Sequence, residues 1–482
     1  MNNNFYITTP IFYPTGTPHI GTAYDVFIAD TLARYYRQKW GEENVFFLTG
    51  TDEHGANIAK KATEEGITPQ EYVDRFAKIY QDSWRALNIS NNDFIRTTNK
   101  EHEKFIQELI QKSYDNGDLY EGEYSGWYCE SCEAYYTEDD LVEGKCPNHP
   151  TKTPVFTTEK NYYFKLSKYQ DWLLKYLEEN KDFVRPQKWY DYVIGLVKAG
   201  LKDIPVTRAN VKWGVPVPWN PEQTIYVWYD ALPNYLSVLH QEEYAKQDYY
   251  NKFWQSAHHL VGKDILKFHA ILWPAMLKSA GYPLPQQVIV HGFFTVDGQK
   301  IGKSNNNAID PSELAQKYTI DGVRYALLSE FQLGNDGDFN FNRLEIKYNS
   351  DLANNFGNLL NRVIHLANKK GLKFLDLPIE DEFFKQVDKY VVDYHKHFEN
   401  LEIFEAIQTT TELCSWANQY VNDTKPWEES ADAAKILGNL YYLLKVAVIF
   451  FTPIIPESAE KAHNALFKQE TIILFPKIEQ KK

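Results

Sequence analysis

Between residues 4 and 51 an apolar run, a Pro/Gly loop, an amphipathic run and a second apolar run follow one another, and this order restricts the fold more than any other feature. "NFYITT" (4–9) reads as a buried strand and "PIFYPTGTPHIG" as the loop after it. Tyr24, Phe27, Ile28, Thr31 and Tyr35 then recur at helical spacing, which predicts a helix from about Gly21. "NVFFLTGTDEHG" reads as another apolar strand, ending in a polar turn at Gly50. Strand, helix, strand in this order is a right-handed crossover, the start of a parallel sheet. Ligands bind at the carboxyl ends of such strands, and both loops lie there. His19-Ile20-Gly21-Thr22 stands where the helix begins. A helix N-terminus offers unpaired N–H groups and a positive dipole end, so phosphate binding is one reading of this junction. A capped helix with a stray histidine is the other.

The chain has 482 residues, which suggests about three domains. Hydrophobic residues make up 43% and charged residues 24%, so core formation is not limiting. The longest apolar run, "LLKVAVIFF", is short and interrupted by Lys445, so no membrane span is expected. The N-terminus lacks a basic region followed by an apolar run, so no signal peptide is expected either. A net charge of −14 argues against a general duplex-DNA binder, although a local basic face can bind nucleic acid on an acidic protein. Three of the four cysteines cluster, which fits metal better than a disulfide framework and points to a reducing, cytoplasmic setting.

Helical pattern covers about 57–87 and 100–117. From about 118 the chain turns rich in aromatics and turn residues, which reads as an insertion between two halves of a sheet domain. Alternating α/β texture resumes near 224 with "TIYVWYDAL" and continues through "HHLVGKDILKFH" and "QQVIVHGFFTVDGQKIGKS". After about 345 strands disappear and helical patterns run to about 465.

Within the insertion, Cys129-x-x-Cys132 and Cys146-x-x-His149 form two short-spaced pairs of soft ligands, thirteen residues apart. Four protein ligands suit a closed, structural tetrahedral Zn²⁺ site. Two free thiols and a coincidental third are the alternative. In "DGQKIGKSNNN" (297–307), Asp297-Gly298 signals a hairpin turn, and Lys300 and Lys303 sit in a small-residue loop with Gly302 and Ser304. Such a loop can close on a polyphosphate, or it can be a solvated basic loop.

The His-x-Gly-x loop after the first strand and the Lys-x-x-Lys-Ser loop after a late strand resemble the "HIGH" and "KMSKS" signatures of class I aminoacyl-tRNA synthetases. "TTPIFYP", "FLTGTDEHG", "GWYCESCEAYYTEDDL", "VWYDALPNYLS", "HLVGKDILKFHAILWPAML" and "HGFFTVDGQKIGKS" narrow the resemblance to the methionyl-tRNA synthetase family, over nearly the whole chain. The resemblance implies an α/β fold: a Rossmann-type parallel-sheet catalytic domain split by a zinc-knuckle connective insertion, then an all-α anticodon-binding helix bundle. The expected divisions are 1–117 and 224–310 for the catalytic halves and 118–223 for the insertion. A stem-contact linker at 311–345 and the helical domain at 346–482 follow.

The implied reaction joins methionine to ATP, giving methionyl-adenylate and pyrophosphate, and passes the methionyl group to the terminal ribose of initiator and elongator tRNA(Met). In-line attack on the α-phosphate needs positioning and charge neutralisation more than acid–base chemistry. By motif match, His19 and Lys303 would stabilise the developing charge and Lys300 would assist. ATP would lie against His19, Gly21, Thr22, His291, Gly292, Lys303 and Ser304, with Mg²⁺ accompanying it. Methionine would be lined by Ile11, Tyr13, Trp228, Ala231, Leu232, Tyr235, Ile265 and His269, with Asp52 on its ammonium group. Plain core packing is the alternative for Trp228 and Tyr235, since an aromatic at strand spacing is usually core. Asn358 and Arg362, four apart on one helix face, and Trp427 after Pro426 match the family's anticodon-reading residues. A core anchor is the alternative for Trp427. Zn²⁺ at Cys129, Cys132, Cys146 and His149 completes the expected set. With no strand-rich tail after residue 465, a monomer is expected, with no membrane partner.

Three positions depart from the signatures. Thr22 replaces the second histidine of "HIGH" and can still donate its hydroxyl to phosphate, with weaker ATP binding expected; Gly302 loosens the lysine loop, and Asn306 stands where glycine is usual. The insertion has no room for a large editing domain, so homocysteine would have to be rejected at the synthetic site. Synthetases for cysteine, leucine, isoleucine or valine are the nearest alternatives, and the Trp228–Tyr235 stretch and Trp427 argue against them. An inactive paralogue that only binds is a further alternative. Retention of His19, Asp52, His269, Lys303 and the four metal ligands argues against it.

Overall fold

A computed structural model of the chain describes residues 3–129, 134–147, 150–296, 299–301, 308–429 and 431–479. Two compact units emerge: residues 1–17, 43–85 and 91–291 form the first, and 18–42, 86–90 and 292–482 the second.

In the first unit, β1 (Phe5–Thr8), β2 (Val45–Thr51) and β3 (Asp93–Arg96) are parallel neighbours. Both β1 and β2 are buried throughout, as expected of strands covered on two faces. Gly50 in β2 is required by close packing, because a Cβ there would come within 2.0 Å of the Ile95 carbonyl oxygen. The predicted helices at 57–87 and 100–117 form as Ala56–Glu65, Pro69–Ala86 and Lys100–Asp115. The insertion contains β4 (Leu119–Cys129), β5 (Ala134–Tyr136), β6 (Val155–Phe164), β7 (Val184–Arg185), β8 (Ile204–Pro205), β9 (Thr207–Arg208), β10 (Pro216–Val217) and β11 (Asn220–Ile225). β12 (Ala257–Gly262) and β13 (Gln287–His291) return to the central sheet, whose order is β3-β2-β1-β12-β13-β7.

Two features of this sheet differ from the sequence reading. β7, inside the insertion, adds a parallel edge strand beside β13. Two residues leave no periodicity by which to recognise it. "TIYVWYDAL" does not lie in the central sheet. β11 ends at Ile225 in a separate three-stranded sheet, and a short helix, Val227–Ala231, follows. The amides of Tyr229 and Asp230 turn back to the Tyr226 carbonyl at 2.8 and 3.0 Å, so Trp228 has helical rather than strand spacing from Ala231 and Tyr235.

In the second unit, the helix Ile20–Trp40 begins one residue before the predicted start. A small sheet contains β14 (Phe294–Val296), β15 (Gln299–Lys300) and β16 (Gly337–Phe339). β14 and β15 pair antiparallel on either side of the expected turn, and Asp297 and Gly298 lie outside the described residues. No strand follows β16 among the described residues, in keeping with the predicted change of texture near 345. Ala433–Phe451, which contains "LLKVAVIFF", is long and apolar enough to cross a membrane by length and composition alone. With 67% of its apolar window buried, it is the core helix of this unit.

A buried ion pair ties the helix Ile20–Trp40 to the rest of its unit. Asp30 and Arg324 both have fully buried side chains and meet at 2.7 Å. Asp30 also accepts from Arg34 Nε at 2.7 Å and from the Ser90 amide at 2.7 Å. Arg324 donates to the carbonyls of Ile454 and Pro453 at 3.1 and 3.2 Å. Burial would raise the Asp30 carboxyl pKa, but the Arg324 and Arg34 guanidinium groups beside it hold it below the ordinary value. Removing one partner leaves the other charge buried and uncompensated. Arg324→Met is therefore expected to cost ~3–5 kcal/mol of unfolding free energy, measured by denaturant titration.

Candidate active site

The direction of chain progression reverses at β1, which lies between β2 and β12. The carboxyl ends of these strands border the crevice where such sheets bind ligands. Ile11 and Tyr13 follow β1, Asp52 follows β2, and Ile265 and His269 follow β12. The first two loops are zipped together: the Phe12 amide donates to the Gly50 carbonyl at 2.9 Å, and the Asp52 amide to the Phe12 carbonyl at 3.0 Å. Next to Asp52, the fully buried Glu53 carboxylate accepts a two-pronged bond from Arg96 at 2.7 and 2.9 Å and one from Thr51 Oγ1 at 2.6 Å. The half-buried Asp52 thus stands on a fixed backbone.

Three aromatic contacts build the apolar wall. Trp228 stacks on Phe268 at 3.9 Å between centroids, with planes 7° apart. The Tyr235 ring lies 4.2 Å from His259, and its hydroxyl meets His269 Nε2 at 2.8 Å. His269 Nδ1 is 3.0 Å from the Ile265 carbonyl, which fixes the tautomer: Nδ1–H donates and Nε2 accepts from Tyr235. Burial lowers His269 to about 4 and pushes the Tyr235 hydroxyl upward, so the pair is neutral near pH 7. Ala231 and Leu232 are buried beside them in the chain. One carboxylate and an uncharged aromatic wall suit an α-amino acid with an apolar, polarisable side chain. Phe268 was missed from the sequence. Its place between Ile265 and His269 was the available signal.

In the second unit, His19 is the N-cap of the helix Ile20–Trp40. Its Nδ1 accepts from the amides of Gly21 and Thr22 at 3.1 and 3.3 Å, which leaves the ring proton on Nε2. A Cβ at residue 21 would come within 3.0 Å of the imidazole, so Gly21 makes room for the ring. Thr22 closes a reciprocal capping box: its hydroxyl accepts from the His19 amide at 2.9 Å and donates to the His19 carbonyl at 2.8 Å. The expected phosphate donor is thus engaged in holding the cap. His291 is the buried last residue of β13. Gly292 is packed so closely that a Cβ would meet the Asn335 carbonyl oxygen at 2.0 Å. Lys300 pairs through its backbone with Thr295, and Lys303, Ser304 and Asn306 lie outside the described residues.

Two of the three expected anticodon residues meet. The Arg362 guanidinium is 5.1 Å from the Trp427 ring centroid, and its Nη1 donates to Asn422 Oδ1 at 2.9 Å. Trp427 is 42% exposed, which sets aside the core-anchor alternative. Asn358 is exposed one turn before Arg362 on the helix Asn358–Lys369.

Of the expected metal ligands, Cys132 and His149 lie outside the described residues. Cys129 and Cys146 are buried thiols. Cys129 is the last residue of β4 and pairs with Ala134 of β5, and Cys146 follows a tight turn whose ends, Val142 and Lys145, form a bridge. Among the described residues, no group of three or more His, Cys, Asp or Glu is placed to hold a metal.

Residues 5–153 and 150–364 match the family described as class I tRNA synthetases (M), and residues 380–482 match the anticodon-binding domain of tRNA ligases. The chain is 42% identical to the methionine–tRNA ligase of Thermotoga maritima, over 97% of this chain and 76% of that protein. Identity is 41% with the Rickettsia conorii methionine–tRNA ligase, over 97% and 93% respectively. A Mycobacterium tuberculosis methionyl-tRNA synthetase in complex with methionyl-adenylate superposes with a TM-score of 0.89 at 34% identity, covering 98% of this chain and 99% of that one.

Three buried histidines make stability depend on pH. Burial lowers His258 and His269 to about 4, and His259 well below its ordinary value. Between pH 6.5 and about 4 the unfolded chain therefore binds more protons at each site, and stability is lost as pH falls, at ~1.4 kcal/mol per pH unit per group. His258→Gln removes one such group and should flatten a plot of Tm against pH across this window.

Proposed function

The chain belongs to the methionine–tRNA ligase family of class I tRNA synthetases, and from that premise we infer that it activates methionine with ATP, releases pyrophosphate and transfers the methionyl group to tRNA(Met). The observation that carries this reading inside the molecule is the neutral Tyr235–His269 pair beside the Trp228–Phe268 stack. In this reading the methionine side chain lies against that wall and Ile11, Tyr13, Ala231, Leu232 and Ile265, while Asp52 holds the α-ammonium group. His19 presents Nε2–H to the ATP phosphates, and Lys300 and Lys303 neutralise charge as the α-phosphate is attacked. Ser304, Gly21, Thr22, His291 and Gly292 complete the nucleotide environment, and Mg²⁺ accompanies ATP. Initiator and elongator tRNA(Met) are the acceptors, in the cytoplasm, and the five expected segments keep the boundaries given above.

Zn²⁺ belongs to the same proposal. The two buried thiols suit tetrahedral thiolate coordination, with Cys132 and His149 as the other ligands. Bound there, the metal would supply a structural crosslink and no reaction step. One equivalent of zinc per chain, with a Tm lowered by chelation, is the expected result. Full stability and no bound zinc would overturn it.

ATP–pyrophosphate exchange with methionine, cysteine, leucine, isoleucine and valine tests the function, and exchange with methionine alone is expected. No exchange from folded protein would favour the binding-only paralogue. For the anticodon residues, Trp427→Ala removes a stacking face worth ~1–3 kcal/mol, so kcat/KM for tRNA charging should fall by about 5- to 150-fold. Unchanged charging would remove Trp427 from the interface.

A further inference from the structure

A buried polar cluster next to the pocket is not used by the reaction. The Asp230 carboxylate is 1% exposed, and both its oxygens are occupied. Oδ2 lies 2.7 Å from His54 Nδ1, and Oδ1 lies 3.1 Å from His102 Nε2. His102 Nδ1 is in turn 2.7 Å from Ser237 Oγ. Burial alone would raise Asp230, yet His54 and His102 hold it down to about 2, and the carboxylate in turn raises His54. The cluster is thus an anionic centre gripped from two sides.

Its location gives it a use. Asp230 is on the five-residue helix Val227–Ala231, whose N-cap makes no side-chain bond. So short a helix cannot fix its own orientation, yet it carries Trp228 and Ala231 and leads into Leu232. His54 is two residues beyond Asp52, with Glu53 between them locked onto Arg96. The His54–Asp230 contact therefore joins the segment that bears the ammonium-binding carboxylate directly to the helix that bears the side-chain wall.

We propose that His54 and Asp230 are positioning residues that set the distance between the ammonium anchor and the apolar pocket, and so select α-amino acids by side-chain length. The proposal rests on the methionine-site reading above. A shift of the anchor relative to the wall weakens amino-acid binding without touching the nucleotide, and a slack anchor tolerates a shorter side chain better.

The test is ATP–pyrophosphate exchange with His54→Ala, His54→Asn and His54→Gln, with Tm measured on each. Loss of a hydrogen bond to a charged group should raise KM for methionine by about 10- to 100-fold in His54→Ala. KM for ATP should stay within about twofold, and the preference for methionine over homocysteine should shrink. The Asn amide nitrogen reaches roughly where Nδ1 lies and should restore most of the methionine KM, whereas the longer Gln should not. A merely structural role would lower Tm and raise both KM values together, or give Asn no advantage over Ala, and either result overturns the proposal. If His54→Ala does not fold, the Asn–Gln comparison decides in the same way. Wild-type protein that exchanges with no amino acid would instead sink the methionine reading itself.

Discussion

The pairing of β1 on both edges is the constraint on which the first unit depends. Tyr6 pairs with Phe46 on one side and Ala257 on the other, and Ile7 and Thr8 continue both ladders. A parallel strand cannot find its partner through a tight turn, so each ladder closes only after a long crossover. The β1–β12 closure brings residue 6 against residue 257, and its entropic cost is set against the burial of every residue in both strands. Once closed, the ladder leaves no freedom in which loops share the carboxyl edge. The segments after β1, β2 and β12 are neighbours because the strands are.

Electrostatics then refines what packing assembles. The same side-chain type is driven in opposite directions by its surroundings. His258, His259 and His269 are held neutral by burial, while His54 faces the Asp230 carboxylate and is raised. A neutral His269 can accept the Tyr235 proton. A protonated one would place an uncompensated charge in an apolar wall, which burial disfavours. The second unit uses the opposite device, an ionised pair, where Asp30 and Arg324 meet with no exposure, Arg324 also donating to the Ile454 carbonyl and Asp30 accepting from the Ser90 amide.

Much of this was legible in the sequence because it is carried by long, periodic or chemically distinctive segments. β1, β2 and the helix from Ile20 each display their period over enough residues to be read. "HIGT" stands out by residue type, and the helix starts there. What escaped was set by tertiary contacts. Trp228 reads as a strand residue because Thr224, Ile225, Tyr226 and Val227 before it favour strands, and only the fold starts a helix there. Phe268 lies within a π-helical stretch, Phe268–Leu272, whose wider turn no spacing rule anticipates. The edge strand Val184–Arg185 is too short to carry a pattern. The Asp230 cluster draws on His54, His102 and Ser237, far apart in sequence, so no local motif records it.

The threonine in "HIGT" is where the structure changes the interpretation most. Read as a motif, Thr22 looks like a weakened phosphate ligand. In the fold, its hydroxyl closes the cap by bonding both backbone groups of His19. The imidazole lies across the helix start and takes the Gly21 and Thr22 amides on Nδ1. Those two amides are among the unpaired donors a helix end would otherwise offer to an anion. They cannot fully serve the ring and a phosphate together. An anion at this end therefore either displaces the ring or is met by its Nε2–H, and a closed cap favours the second course because it costs no helix hydrogen bonds. The substitution thus puts at the helix start a hydroxyl that bonds both backbone groups of His19.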